Sequence, residues 1–507
     1  MSRKILLTNS FAGALQLGIT AILSLISIPI FINKLGIEQY GVFATVAIVG
    51  SINTFANLGL SQALLVFIAK QGKTKESDYD IIVTFLFLFT IVIAVVGFVL
   101  LFQKFIILHV FSVPETYYFQ ARQLLIYLTG ANSLLLLGNT FVAIINSQQK
   151  IYLTSLAQVI YGFIYWGGLI LVLNIGGNLG DVGKPILIAA FVWFILLVLF
   201  AYKSYGKVQL NGFIYQFYPH LKKQFDYGGK IYLAGMTNFT FEPLSKLLIS
   251  FFFGSSLVGV YDIALRIKGQ LFSLLSKILY PIYPYIASSV INETLHKKII
   301  TISKIIQVGT FYLSLILVFS LPYLIDLWLG AKSNNTIVLF TTILTLTVLL
   351  FSVPSIPIYY YLNSNGFPEK TIWIQLAQSI TNVIVFFVSF KIIGVFSVVI
   401  ANFFGTFSSY LLCVFYQKKH LGKTIFLNRT FNKKFLIIAV GFFIFNLYLK
   451  GSINLLWVII IEIMILYPTI VLVIKLFSSE EISLIFGKNP GPFFNFGSEL
   501  IKKLKDK

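Results

Sequence analysis

Of the 507 residues in the chain, 58% are hydrophobic and only 11% charged, against about 25% charged in soluble domains, which excludes a soluble globular protein and leaves an integral membrane one. The 38 Lys and Arg against 17 Asp and Glu give a net charge of +21, but the basic residues gather between apolar runs, where a membrane surface accounts for them better than nucleic acid does. Long unbroken apolar runs exclude a β-barrel, and the single cysteine, Cys413, excludes an internal disulfide and a cysteine-based zinc site.

In chain order, Arg3-Lys4 before an apolar run mimics a signal peptide. That run continues to about Ile32 without a small-residue cleavage site, so it is read as a retained first span. Fourteen spans are predicted, over residues 5–32, 41–69, 81–108, 119–146, 152–174, 185–205, 227–253, 258–290, 298–329, 336–362, 371–391, 394–417, 434–449 and 453–475. Under an orientation with both termini cytoplasmic, 27 of the 38 basic residues fall at cytoplasmic ends, 7 at outer ends, and 4 inside the seventh and eighth spans. That asymmetry is the positive-inside pattern and requires an even number of spans.

The expected architecture is an all-α polytopic membrane protein. A first six-helix lobe (1–205) leads through a cytoplasmic interfacial linker (206–226) to a second six-helix lobe (227–417). A basic loop with an additional helix pair (418–477) and a cytoplasmic basic tail (478–507) follow. The linker interleaves aromatic and basic residues, among them Tyr215, Phe217, Tyr218, His220, Lys222 and Lys223, and reads as an amphipathic surface segment. Gly36 and Gly41 bracket the turn between spans one and two, and Gly254 and Gly259 do the same between spans seven and eight. The same spacing about 218 residues apart suggests a parallel repeat of two lobes around a central cavity.

Residues 227–290 carry charge where lipid disfavours it: Glu242, Lys246, Asp262, Arg266, Lys268 and Lys277. A charge near the bilayer centre costs about 2.5–3.5 kcal/mol on insertion scales, so such residues face a partner or a wet cavity. Asp262, Arg266, Gln270, Ser273 and Lys277 share one helix face, and Asn238, Glu242 and Lys246 form a second stripe. Lys246 and Arg266 lie roughly 10–12 Å from the intervening turn at 1.5 Å per residue. The reading is the wall of a net-basic cavity; the competing one is that i,i+4 pairs, Glu242 with Lys246 and Asp262 with Arg266, only pack helices. The first lobe adds neutral polar positions at Gln16, Thr20, Ser24, Ser27, Asn53 and Asn57, which suit either a cavity wall or helix–helix hydrogen bonding. Glu462 stands alone in the last span.

No phosphate-binding Gly-x4-Gly-Lys loop, no His-Glu-x-x-His and no Gly-x-Ser-x-Gly occurs. The four histidines, His109, His220, His296 and His420, are scattered. Neither catalysis nor a metal site is expected, and no cofactor beyond H+ or Na+ coupling.

Four stretches carry a resemblance: Pro29 to Gly41 (PIFINKLGIEQYG), Asn57 to Ala63 (NLGLSQA), Gly254 to Ile267 (GSSLVGVYDIALRI) and Leu321 to Gly330 (LPYLIDLWLG). Together they resemble the Wzx-type lipid-linked oligosaccharide (O-antigen) flippases, in the polysaccharide-transporter branch of the multidrug/oligosaccharidyl-lipid/polysaccharide exporter superfamily. The resemblance spans residues 5–417. Members often carry Asp-Leu-Gly in span two where this chain has Asn57-Leu58-Gly59. It implies alternating access for an undecaprenyl-diphosphate-linked sugar repeat in a bacterial inner membrane. It further implies basic residues lining the central cavity, which maps onto Arg266; with the polar stripes, the candidate cavity residues are Arg266, Lys246, Lys277, Gln270, Asn238, Asn53, Asn57 and Gln16, with Glu242 and Asp262 as ion-coupling candidates. Expected partners are that lipid, the surrounding membrane lipids and a polysaccharide polymerase of the same pathway, with no nucleic acid. Two further readings remain at this point. A cation-coupled multidrug antiporter of the same superfamily would favour acidic cavity residues, and a polymerase or ligase would carry a large outer loop.

Overall fold

The computed structural model describes residues 3–51, 56–209, 213–280, 282–283, 286, 289 and 291–422. The expected spans 434–449 and 453–475, the tail, Glu462 and Asn53 lie outside the described residues, and so does the side chain of Asn238. Every described regular element is helical. Among the described residues, eight helical stretches are long and apolar enough to cross a membrane, and two shorter apolar helices accompany them. The chain divides into two compact units, Met1–Ile263 and Ala264–Lys507.

In the first unit, α1 (Arg3–Val46) covers the first predicted span and enters the second, interrupted by non-helical Gly36 at φ 85° and ψ 166°, a backbone state that favours glycine. Phe31 packs against Tyr40 and Phe43 across that break. The span expected over 41–69 is not one helix. After a 3₁₀ turn at Ala47–Ser51 and a turn through Leu58 at φ 49°, it resumes as α2 (Leu60–Gln71).

α3 (Lys75–Phe105) opens on the Thr74 side chain, which accepts from the Ser77 N–H, and closes in a π-turn at Ile106–Val110. α4 (Tyr118–Ser147) follows. α5 (Ile151–Gly162) and α6 (Gly168–Asn174) form one apolar stretch joined by a π-turn, and α7 (Gly183–Tyr205) ends the set. Leu64, Ile144, Ala157, Trp193 and Leu197 make the main core, and Leu60, Leu88 and Leu136 a second cluster.

The expected amphipathic linker is helical over much of its length, with Tyr215 and Tyr218 exposed and the opposite face packed inward. From Phe213 it belongs to α8 (Phe213–Phe241), which packs on α2 and α3. His220 and Gln224 are buried there, and Phe225 meets Phe87 edge to face. The compact unit therefore runs past 206–226 to Ile263. The span predicted over 227–253 breaks at Glu242, and α9 (Pro243–Phe253) begins with proline in its first turn, where a missing N–H costs nothing. α10 (Ser255–Leu279) follows directly, with Gly254 at φ 84° in the turn.

The second unit comprises the remainder of α10, then α11 (Glu293–Leu329), α12 (Asn335–Thr347), α13 (Val353–Ser364), α14 (Pro368–Ile393) and α15 (Ser397–Leu421). Asn292 and Asn334 cap α11 and α12 by accepting from the Leu295 and Ile337 N–H groups. α14 and α15 pack along each other about the turn at Gly394. Leu295, Ile299, Tyr361, Leu362 and Cys413 form the core.

Candidate functional site

Within the first unit the two glycine turns read from the sequence meet. A Cβ on Gly41 would collide with the Ser255 carbonyl, and a Cβ on Gly259 would sit 2.7 Å from the Ile37 carbonyl oxygen and 3.2 Å from the Gly41 nitrogen. The two contacts are counterparts: Gly41 corresponds to Gly259, and Ile37 to Ser255, at the same offset in the chain. Backbones this close need residues without a side chain.

Immediately along these helices lies a buried charge cluster. Lys246 of α9 pairs with Asp262 of α10 at 2.5 Å, and the Tyr40 hydroxyl donates to the other Asp262 oxygen at 2.6 Å. The Asp262 side chain is 4% exposed and that of Lys246 17%. A carboxylate so enclosed is tolerated because a cation and a hydroxyl both satisfy it. The link runs between helices, whereas the packing alternative in the sequence paired neighbours along one helix. Tyr40 was not singled out from the sequence, since a tyrosine 222 residues from its carboxylate leaves no local pattern.

The other expected residues fall as follows. On α10 the stripe grades outward: Arg266 and Gln270 are half-buried and Lys277 is exposed, while Lys268, off that stripe, is buried. Glu242 is exposed at the break between α8 and α9, and its carbonyl accepts from the Lys246 N–H. Asn57 is buried, and its side-chain oxygen accepts from the Ser61 N–H at 3.0 Å, so it serves the start of α2. Gln16 is half-buried and its carbonyl accepts from Thr20. Ser24 and Ser27 likewise turn back onto Ala21 and Leu23 of their own helix, as hydroxyls in apolar helices do.

A second polar cluster, not anticipated, joins α3 to α8. Fully buried Asp80 faces His220 Nδ1 at 2.7 Å, Lys223 Nζ at 3.3 Å and Gln224 Nε2, while Thr84 donates to Gln224 Oε1. Asp78, also buried, accepts from Lys73, the Tyr205 hydroxyl and the Gln209 N–H. The available signal was Glu76, Asp78 and Asp80 at the start of a span, where acids suit the helix dipole. Apart from Lys73, their partners lie 127 to 144 residues on. Among the described residues no group of His, Cys, Asp and Glu is arranged to hold a metal ion.

The model of a family described as "Polysaccharide biosynthesis protein" matches residues 35–338. No curated protein sequence matches. Among solved structures, "Lipid II flippase MurJ, inward closed conformation" superposes with a TM-score of 0.62 at 16% identity, covering 93% of this chain and 98% of that one. An inward-facing multidrug resistance MATE family transporter of the MOP superfamily gives 0.59 at 13% identity, covering 81% and 98%. A point mutant of the Vibrio cholerae MATE transporter VcmN gives 0.56 at 13% identity, covering 83% and 98%. Likenesses at this identity fix the fold: the chain is a multi-pass membrane protein built like the flippases and transporters of that superfamily.

Proposed function

Because the chain belongs to the polysaccharide biosynthesis protein family, we propose that it flips an undecaprenyl-diphosphate-linked oligosaccharide from the cytoplasmic to the outer leaflet of a bacterial inner membrane. Transport proceeds by alternating access, without catalysis, and serves O-antigen or related surface polysaccharide assembly. Both termini are cytoplasmic, and a polysaccharide polymerase of the same pathway is the downstream partner. The observation that carries the reading is the buried Lys246–Asp262 pair with its Tyr40 hydrogen bond, followed on α10 by Arg266 and Lys268.

A diphosphate and a coupling cation act on the two halves of this pair. The diphosphate competes with Asp262 for Lys246, and H+ or Na+ then compensates the freed carboxylate. Anionic headgroup and cation thus open the same lock, and Arg266 binds phosphate oxygens in the bidentate manner of guanidinium groups. Glu242, exposed at the helix break, is the second coupling candidate. Gln270, Lys277, Asn238 and Gln16 remain as candidate headgroup contacts.

A cation-coupled drug antiporter is the second reading. It is favoured by the buried acid Asp262 and the MATE-like fold, and disfavoured by four basic against two acidic residues in the hairpin. The deciding experiment reconstitutes the protein in vesicles and follows a fluorescent polyprenyl-diphosphate oligosaccharide between leaflets. Wild type should translocate it, while Lys246→Gln, Asp262→Asn and Arg266→Glu should not. Movement of an organic cation instead would establish the antiporter.

A further inference from the structure

Beside α9 the first unit leaves an apolar groove of about 660 Å³. Its floor is Ile48, Val49 and Leu247 with buried Val99, and Phe98 and Phe105 form a rim, 57% and 56% exposed. It lies toward the end of α3 remote from Asp78 and Asp80. One end is closed where the Ser250 hydroxyl donates to the Phe111 carbonyl. Two helix interruptions create it: the 3₁₀ turn at Ala47–Ser51 turns Ile48 and Val49 out of regular helix, and α9 starts afresh at Pro243.

We propose that this groove holds the polyprenyl chain of the transported lipid while its diphosphate is at Lys246, an inference that rests on the flippase reading. A cavity lined only by apolar side chains and open to the bilayer takes hydrocarbon rather than water. Position selects which hydrocarbon. Leu247 follows Lys246 directly in the first turns of α9, so groove and cation lie at the same depth. A phospholipid keeps its phosphate at the membrane surface, whereas a lipid whose diphosphate has entered the protein at Lys246 must lead its chain out sideways at that depth. Among the described residues of α9, Leu247 is the side chain that opens onto such a path.

The test uses the full chain in phosphatidylcholine and phosphatidylglycerol vesicles with two diazirine probes, one on a polyprenyl diphosphate and one on phosphatidylcholine. Crosslinked peptides are mapped by mass spectrometry. The polyprenyl probe should label residues 91–111, and unlabelled polyprenyl diphosphate, not extra phospholipid, should displace it. Val99→Trp, which fills the groove, should lower that labelling about tenfold, and Lys246→Gln should lower it for the polyprenyl probe alone. Phe98→Ala removes an exposed rim side chain without touching the core and should lower it about threefold.

Equal labelling by phosphatidylcholine without displacement would show a groove filled by bulk lipid and overturn the proposal. So would unchanged labelling in Val99→Trp and Phe98→Ala. If the wild type translocates the lipid and both variants do so equally well, the groove assignment falls while the flippase reading stands. If the wild type moves an organic cation and no polyprenyl lipid, both fall.

Discussion

At the scale of single residues the Lys246–Asp262 pair makes the sharpest demands. Both side chains are largely removed from water, so removing one charge strips the other of this close ion pair. Such a deletion costs about 3–5 kcal/mol, whereas replacing both partners together is far milder. Lys246→Gln and Asp262→Asn should each lower the thermal midpoint in detergent. The double variant should recover most of that loss yet remain unable to translocate lipid. If the double variant transports normally, the pair is packing and not mechanism. Gly259 sets a second demand, because a side chain there runs into the Ile37 carbonyl, a backbone atom that cannot rotate away. Gly259→Leu should force α1 and α10 apart. The thermal midpoint in detergent should then fall, and an unchanged midpoint would show that this backbone contact opens at little cost.

At the scale of elements, α8 is the helix whose docking could not be read from the sequence, and the reason is physical. Aromatic and basic residues over 213–223 carry the same composition whether they lie on lipid headgroups or cover acids of another helix. Only the partner decides. That partner is Asp80, whose carboxylate faces His220, Lys223 and Gln224. Asp80→Ala leaves the buried His220 Nδ1 without its partner and takes the carboxylate from half-exposed Lys223, and should cost about 1–3 kcal/mol. Hydrogen exchange should show the loss as faster exchange over 213–226, with α14 and α15 unchanged. Uniform acceleration along the chain would mean that Asp80 supports the whole fold rather than the docking of α8. The break between α8 and α9 was more legible, because Pro243 directly after Glu242 marks a helix start. The break before α2 was not, because it depends on Gly59 lying against the Gly228 carbonyl, a contact far apart in sequence.

At the scale of the whole molecule, the class and the spacing of the two glycine turns could be read from the chain. Apolar run length and glycine intervals are local properties that tertiary contacts do not rewrite. The interruptions within spans and the helix-to-helix pairing of Asp262 depended on those contacts and could not be read. Orientation rests on a third property, the distribution of Lys and Arg, which makes a claim at every loop. Cys413 is the lone cysteine and is buried, so Cys413→Ala supplies a background for single reporters. Cysteines at Lys150 and Lys370 should react with a membrane-impermeant maleimide only after the membrane is opened. Cysteines at Lys184 and Lys332 should react in intact cells, because both positions are exposed. A reporter at Lys502 then counts the remaining crossings. Protection there, together with protection at Lys370, requires an even number of spans after residue 370, as fourteen spans demand, whereas labelling in intact cells would remove one span and place the basic tail outside. The positive-inside bias would then be carried by the central loops alone.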